Sequence, residues 1–148
     1  MKLIKHVLKL KEQSEIWDIG PEAPVYDALK MMADKNIGAL MVMKGEKVVG
    51  VISERDYARK IILLGKSSKE TLVREIMTSP VIYTTPEETI EHCMALMTAK
   101  HIRHLLVTDD DKPVGMISMG DLVKAIIGSQ KELIRQLENY IQENVSLT

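Results

Sequence analysis

Apolar positions fall in two alternating regimes along this chain, and the alternation occurs twice. Val25, Ala28, Leu29 and Met32 are spaced i, i+3, i+4, i+7, one stripe of an amphipathic helix. Ile90, Cys93, Met94 and Met97 repeat the spacing. Each helix follows a short β-prone run, Ile16–Ile19 or Val81–Thr84, ended by a proline-containing turn. Each is followed by two apolar runs that read as strands. These are Ala39–Met43 and Lys47–Ile52, turned at Lys44-Gly45-Glu46, then Leu105–Thr108 and Pro113–Ile117, turned at Asp109-Asp110-Asp111. The runs are apolar enough to be buried on both faces. A second helix begins after Ser53 and after Ser118, so the order is β-α-β-β-α, twice.

The two copies align without a gap at an offset of 65 residues. Pro21-Glu22 returns as Pro86-Glu87, Ile37 as Ile102, Leu40 as Leu105, Val49-Gly50 as Val114-Gly115, Ile52-Ser53 as Ile117-Ser118 and Asp56 as Asp121. About a third of aligned positions are identical. One such unit is too small to bury much surface alone. Two units facing each other, with a shared core and pseudo-two-fold symmetry, would leave two related clefts at their seam. The expected class is α/β (α+β). The expected segments are 1–65 (first repeat with a lead-in helix over Leu3–Lys11), 66–128 (linker, short helix over Leu72–Met77, second repeat) and 129–148 (C-terminal amphipathic helix). In that last segment Leu133, Ile134, Leu137, Tyr140 and Ile141 share a face that packs in cis or makes a dimer contact.

Composition narrows the function. The net charge of −1 provides no field for nucleic acid, so phosphate binding must be local. The single cysteine excludes an internal disulfide and fits a reducing compartment. No apolar run approaches the roughly 20 residues of a membrane span, and no signal peptide is visible, so cytoplasm is the expected location. Ten methionines and no phenylalanine point to an adaptable core.

The chemistry concentrates in Ser53-Glu54-Arg55-Asp56 and Ser118-Met119-Gly120-Asp121, each after an apolar strand and at the start of a helix. A serine followed three residues later by an acid reads as a capping box. It also reads as a nucleotide site: helix amides and a hydroxyl for phosphate, and a carboxylate for ribose hydroxyls. Asp is shorter than the Glu or Gln that a capping box prefers, and both motifs would open onto the seam. His101-x-x-His104 lacks a completing metal shell, and Cys93 reads as a small buried filler. No nucleophile elbow or phosphate loop is present, so no catalytic residue, metal or catalytic cofactor is assigned.

On these residues the chain resembles a tandem pair of CBS domains, the modules named after cystathionine β-synthase, of the stand-alone bacterial or archaeal type. The resemblance is carried by residues 50–56 and 115–121, with support from Asn36–Val42 and His101–Val107. One departure is that the family often has proline in the second strand, where this chain has Met41 and Leu106. The resemblance implies a non-catalytic regulator that binds AMP, ATP, NAD(H) or S-adenosylmethionine and signals to a partner protein, as a homodimer. By resemblance, Asp56 and Asp121 take ribose, and Ser53 and Ser118 meet phosphate. The backbone at Ala39-Leu40 and His104-Leu105 meets adenine, and residues near Asp18-Ile19 and Thr84-Thr85 close the slot. Met116, Gly38 and Gly120 would border the ligand, with Arg55 and Arg103 as phosphate clamps. The unequal pairs Arg55/Gly120 and Gly38/Arg103 predict two unequal clefts. The alternatives are a ligand-free interaction module, whose motifs are caps alone, or a nucleotide-processing enzyme.

Overall fold

The computed structural model describes residues 2–11 and 16–146. Its elements run α1 (Ile4–Leu10), β1 (Asp18–Ile19), α2 (Val25–Lys35), β2 (Ala39–Lys44), β3 (Lys47–Ser53) and α3 (Glu54–Tyr57), which continues as a π-helical turn over Ala58–Ile62. Then come α4 (Val73–Ile76), β4 (Tyr83–Thr84), α5 (Ile90–Lys100), β5 (His104–Asp109), β6 (Lys112–Ser118) and α6 (Met119–Ser146). The β-α-β-β-α order is present in both copies.

Each repeat forms a three-stranded sheet, β1-β2-β3 or β4-β5-β6. The first pair is parallel and the second antiparallel. The offset of 65 holds at the level of register: Asp18 pairs with Met41 as Tyr83 pairs with Leu106, and a bulge follows Val42 as one follows Val107. The two opening strands are shorter than expected. Ile16, Trp17, Val81 and Ile82 lie outside them.

Periodicity identified the buried face of each helix. Val25, Ala28 and Met32 are buried in α2, and Ile90, Cys93 and Met97 in α5. Both helices end on a residue in the left-handed conformation, Asn36 (φ 54°) and His101 (φ 55°), which turns the chain into the next strand. Burial on both faces holds for Ala39–Val42 but not for β3 and β6, where buried and partly exposed residues alternate. Those strands present their second face to the seam and to the lead-in segments.

Two expectations are corrected by the packing. The repeats do not share one core: each has its own apolar cluster. The lead-in helices are exchanged between them. Ile4 and Val7 of α1 pack into the second repeat's cluster, and Val73 and Ile76 of α4 into the first. The exchange is itself repeated. The amide of Ile4 donates to the Glu88 carbonyl and that of Val73 to the Ala23 carbonyl, each at 2.8 Å. Lys5 pairs with Glu87 at 3.3 Å, and Arg74 with Glu22 at 3.2 Å. A glycine in each edge strand admits the incoming side chain. A Cβ on Gly50 would lie 2.5 Å from Met77 Sδ, and one on Gly115 2.6 Å from Leu8 Cδ2.

The C-terminal helix is also not a separate element. It continues from the second repeat through Gly128 as α6, about 40 Å long at 1.5 Å per residue. Residues 147–148 of the expected tail lie outside the described residues. Leu122 and Ala125 anchor α6 in the core, whereas Leu133, Ile134, Leu137, Tyr140 and Ile141 are each more than half exposed. The stripe therefore does not pack in cis. Three methionines (Met32, Met41 and Met97) are buried, and Met31, Met77, Met94 and Met119 pack against the clusters from their edges.

Candidate functional site

Both Ser-x-x-Asp motifs form complete capping boxes. The Ser53 amide donates to Asp56 Oδ2 at 2.9 Å, and the Asp56 amide donates to Ser53 Oγ at 3.2 Å. The second copy matches, with Ser118 N to Asp121 Oδ2 at 2.8 Å and Asp121 N to Ser118 Oγ at 3.1 Å. Aspartate thus performs the task usually given to glutamate. The next amides are also engaged across each repeat, Glu54 N to Gly38 O at 3.1 Å and Met119 N to Arg103 O at 2.9 Å. Only the amides of Arg55 and Gly120, at the second helical position, lie outside these bonds. The helix N-termini are therefore less open to phosphate than the sequence suggested.

The carboxylates differ in their second contacts. Asp56 Oδ1 faces Lys60 at 3.1 Å, one turn along the same helix. Asp121 instead meets Lys11, whose Nζ lies 3.0 Å from the same Oδ2 that holds the cap. Burial alone would raise the Asp121 carboxyl. The Ser118 amide bond and Lys11 outweigh that and hold it below the usual carboxylate value.

Two clefts open at the seam, and each takes the helix cap of one repeat and the strand start of the other. The first, of about 680 Å³, sets Ile16, Trp17 and Asn36–Ala39 of the first repeat against Met116, Ser118, Asp121 and Lys124 of the second. Leu8, Leu10 and Lys11 of the lead-in segment complete its wall. The second, of about 280 Å³, sets Val81, Ile82 and Lys100–His104 against Val51, Ser53, Arg55, Asp56, Arg59 and Lys60. Residues at an offset of 65 recur throughout: Ile16 with Val81, Trp17 with Ile82, Ser53 with Ser118, Asp56 with Asp121, Arg59 with Lys124. The clefts are related, and unequal in size and charge.

His104 lines both clefts and packs on Gly38, whose added Cβ would lie 3.1 Å from Nε2. Burial first, and then the Lys11 charge, lower its pKa from the ordinary 6.5, with Asp121 and Asp56 opposing. The imidazole is therefore neutral at pH 7, with one nitrogen to donate and one to accept.

Among the residues singled out from sequence, Gly38, Ala39, His104, Met116, Ser118 and Asp121 meet in the first cleft. Ser53, Arg55, Asp56, Arg103 and His104 meet in the second. Seven line neither. The side chains of Leu40 and Leu105 are fully buried in the two cores, and Ile19 is nearly so. Thr84 is buried and accepts from Cys93 Sγ at 3.3 Å. Asp18, Thr85 and Gly120 are exposed away from the lining. Gly120 has no crowding neighbour, so no packing contact requires glycine there.

Sequence reasoning missed Trp17, Lys11, Lys124, Arg59, Lys60 and Lys100. Arg59 and Lys124 stand three residues after each Asp, on the same helical face, a spacing that could have revealed them. Lys11 carried no such signal, because its position depends on the exchanged lead-in segment.

Comparison with known proteins agrees with this architecture. The CBS domain profile matches residues 15–63 and 73–128. A mitochondrial CBS domain-containing protein of Arabidopsis thaliana, CBSX3, is 47% identical over 123 residues, covering 80% of this chain and 60% of its own length. The chain spans between 38% and 60% of the first three curated relatives it matches. A solved protein with CBS domains from Burkholderia ambifaria is 46% identical, with a TM-score of 0.83 over 87% of this chain and 96% of its own. The CBS domain pair of protein MJ0100, solved in complex with methylthioadenosine and S-adenosyl-L-methionine, superposes with a TM-score of 0.73 at 25% identity, over 86% of this chain and 98% of its own. With both repeats matched and the fold shared along nearly the whole length, this chain belongs to the CBS domain family.

Proposed function

We propose that this chain is a non-catalytic regulatory module that binds an adenine nucleotide in its seam clefts and transmits occupancy to a partner protein. AMP is the first candidate ligand, followed by ATP, NAD(H) and S-adenosylmethionine. The observation that carries this reading is the repeated cleft. Each cleft combines a Ser/Asp helix cap, basic side chains, and an apolar wall able to take a base: Ile16, Trp17 and Ile37 in one, Val81, Ile82 and Ile102 in the other. Support comes from the adenosine ligands of the MJ0100 pair. In this reading Asp121 Oδ1, which takes no part in the cap, is the acceptor for ribose in the first cleft. Asp56 plays that part in the second after Lys60 turns to the ligand.

The module acts as a homodimer through the exposed face of α6. Its functional segments follow the packing as well as the chain order, since α1 travels with the second repeat. Among the described residues no helix is long and apolar enough to cross a membrane. A cytoplasmic location remains part of the proposal, beside a relative whose name places it in mitochondria.

A ligand-free interaction module is the second reading. It is favoured by one observation: both aspartates are already satisfied as caps. A thermal-shift screen with AMP, ATP, NAD(H) and S-adenosylmethionine separates the two. A specific ligand raises the melting temperature in the first reading and none does in the second. Incubation with ATP followed by product analysis tests for turnover, and the proposal expects none.

A further inference from the structure

Among the described residues, His104 is the one that lines both clefts. It opens β5, where its cross-strand partner is Ser118, the cap residue of α6. At an offset of 65 the same place in the first repeat is Ala39, opposite Ser53. The imidazole thus has no counterpart from the first repeat. Instead it reaches across to Gly38, where an added Cβ would lie 3.1 Å from Nε2 and 3.3 Å from Cε1. The missing side chain at Gly38 is what lets one ring from the second repeat stand between the two clefts.

Charges of both repeats reach that ring. After burial, Lys11 of the lead-in segment disfavours its protonated form; Asp121 of α6 and Asp56 of α3 favour it, and the adjacent Arg103 disfavours it. Glu54 also faces the gap, its Oε1 3.8 Å from the same Cβ position on Gly38. Neither ring nitrogen has a hydrogen-bond partner among the described residues. A neutral imidazole has one N–H to donate and one nitrogen that accepts. One proton is therefore on offer to two clefts. A nucleotide presents acceptors along most of its length, in phosphate, ribose and base, so an occupant of either cleft competes for it.

We propose that His104 couples the two clefts: they share its single ring proton, so filling one weakens the other for a ligand of the same kind. The ligand part of this rests on the adenine-nucleotide reading above; the joint control of the ring by both clefts does not. Protonation removes the conflict, because the imidazolium donates from both nitrogens. Burial and Lys11 lower the ring's pKa from the ordinary 6.5, so the coupling is present at pH 7 and fades as pH falls through that lowered value.

Calorimetric titration of the full chain with AMP tests the coupling. Asp56→Ala and Asp121→Ala each impair one cleft and give the affinity of the other alone. In wild type at pH 7, the product of the two association constants should fall about tenfold below the product of those separate values, the worth of one hydrogen bond. At about pH 5 the two products should agree. In a His104→Leu background they should agree at both pH values. Equal products in wild type at pH 7, or a deficit that survives His104→Leu, overturn the proposal. A second arm needs no ligand. In NMR titration of isotope-labelled histidine, the His104 ring, identified by its loss in His104→Leu, should titrate below 6.5. Asp56→Asn and Asp121→Asn should each lower its pKa further, since each removes an opposing carboxylate. If AMP does not bind, the adenine reading falls, and a response to both aspartates upholds the shared ring. A response to one aspartate alone, or to neither, overturns it in either case.

Discussion

Lys11 Nζ lies 3.0 Å from Asp121 Oδ2, joining a residue that precedes the first repeat to the helix cap of the second. Through this contact the exchanged lead-in segment reaches the first cleft. The Asp121 carboxyl is held below its ordinary value, so the ionised form favours the folded state. That contribution is complete above the unfolded pKa of about 3.9 and disappears as pH falls through the lower folded value. Asp121→Asn should therefore be less stable than wild type at pH 6, with the gap closing below about pH 4. Urea denaturation across this range measures it, and a gap that persists unchanged at low pH contradicts the assignment.

The exchange of lead-in helices depends on two glycines. Gly50→Ala would push a Cβ into Met77 Sδ and to within 3.1 Å of the Thr78 carbonyl. Gly115→Ala meets only the end of the Leu8 side chain. We expect Gly50→Ala to cost about 1–3 kcal/mol, as overpacking does, and Gly115→Ala to cost less. Equal urea midpoints for the two variants would show that the backbone oxygen is not what limits the slot.

The caps have their own energetic weight, apart from any ligand. Ser53→Ala and Ser118→Ala each remove an acceptor for an Asp amide, at a cost of about 1 kcal/mol. Melting curves without nucleotide should show both losses. If neither variant shifts, the boxes are geometric coincidences and the serines are held for another purpose.

The exposed stripe on α6 predicts self-association. Its five exposed apolar side chains suit an isologous contact with a second copy. Light scattering should give a dimeric mass, and Ile134→Glu/Ile141→Glu should give a monomer with intact circular dichroism. A monomeric wild type would exclude the dimer.

Burial pushes the Cys93 thiol up, against its bond to Thr84, and leaves it fully enclosed between α5 and β4. It should react with a thiol reagent only when the chain unfolds. Rapid labelling of native protein would show that this core opens.

Much of the fold could be read from the sequence because the periodicities are local. A helical stripe such as Val25–Met32 and a strand run such as Ala39–Val42 each carry their own burial signal. The offset of 65 then supplied the symmetry, the paired caps and the inequality of the clefts. Contacts without a local signature were not legible. The destination of α1 is set by Gly115 and the second repeat's core, eighty or more residues downstream. The same distance hid Lys11. Arg55 and Arg103 were found as individual cations, but their meeting with Arg59 in one cleft follows from the cross-repeat pairing of helix caps with strand starts. Leu40 and Leu105 were expected to meet the ligand through their backbone, and alternation along the strand turns their side chains into the cores, away from both cleft linings.

The central claim is that the clefts hold adenine nucleotides through the two aspartates. Calorimetric titration of AMP into wild type, Asp56→Ala and Asp121→Ala, with Trp17 fluorescence recorded in parallel, tests it most directly. The account predicts binding to wild type and weakened binding in each variant, with the Trp17 response lost only in Asp121→Ala. Unchanged AMP affinity in both variants would contradict the ribose assignment. The absence of binding by AMP, ATP, NAD(H) and S-adenosylmethionine to a folded wild type would contradict the function itself.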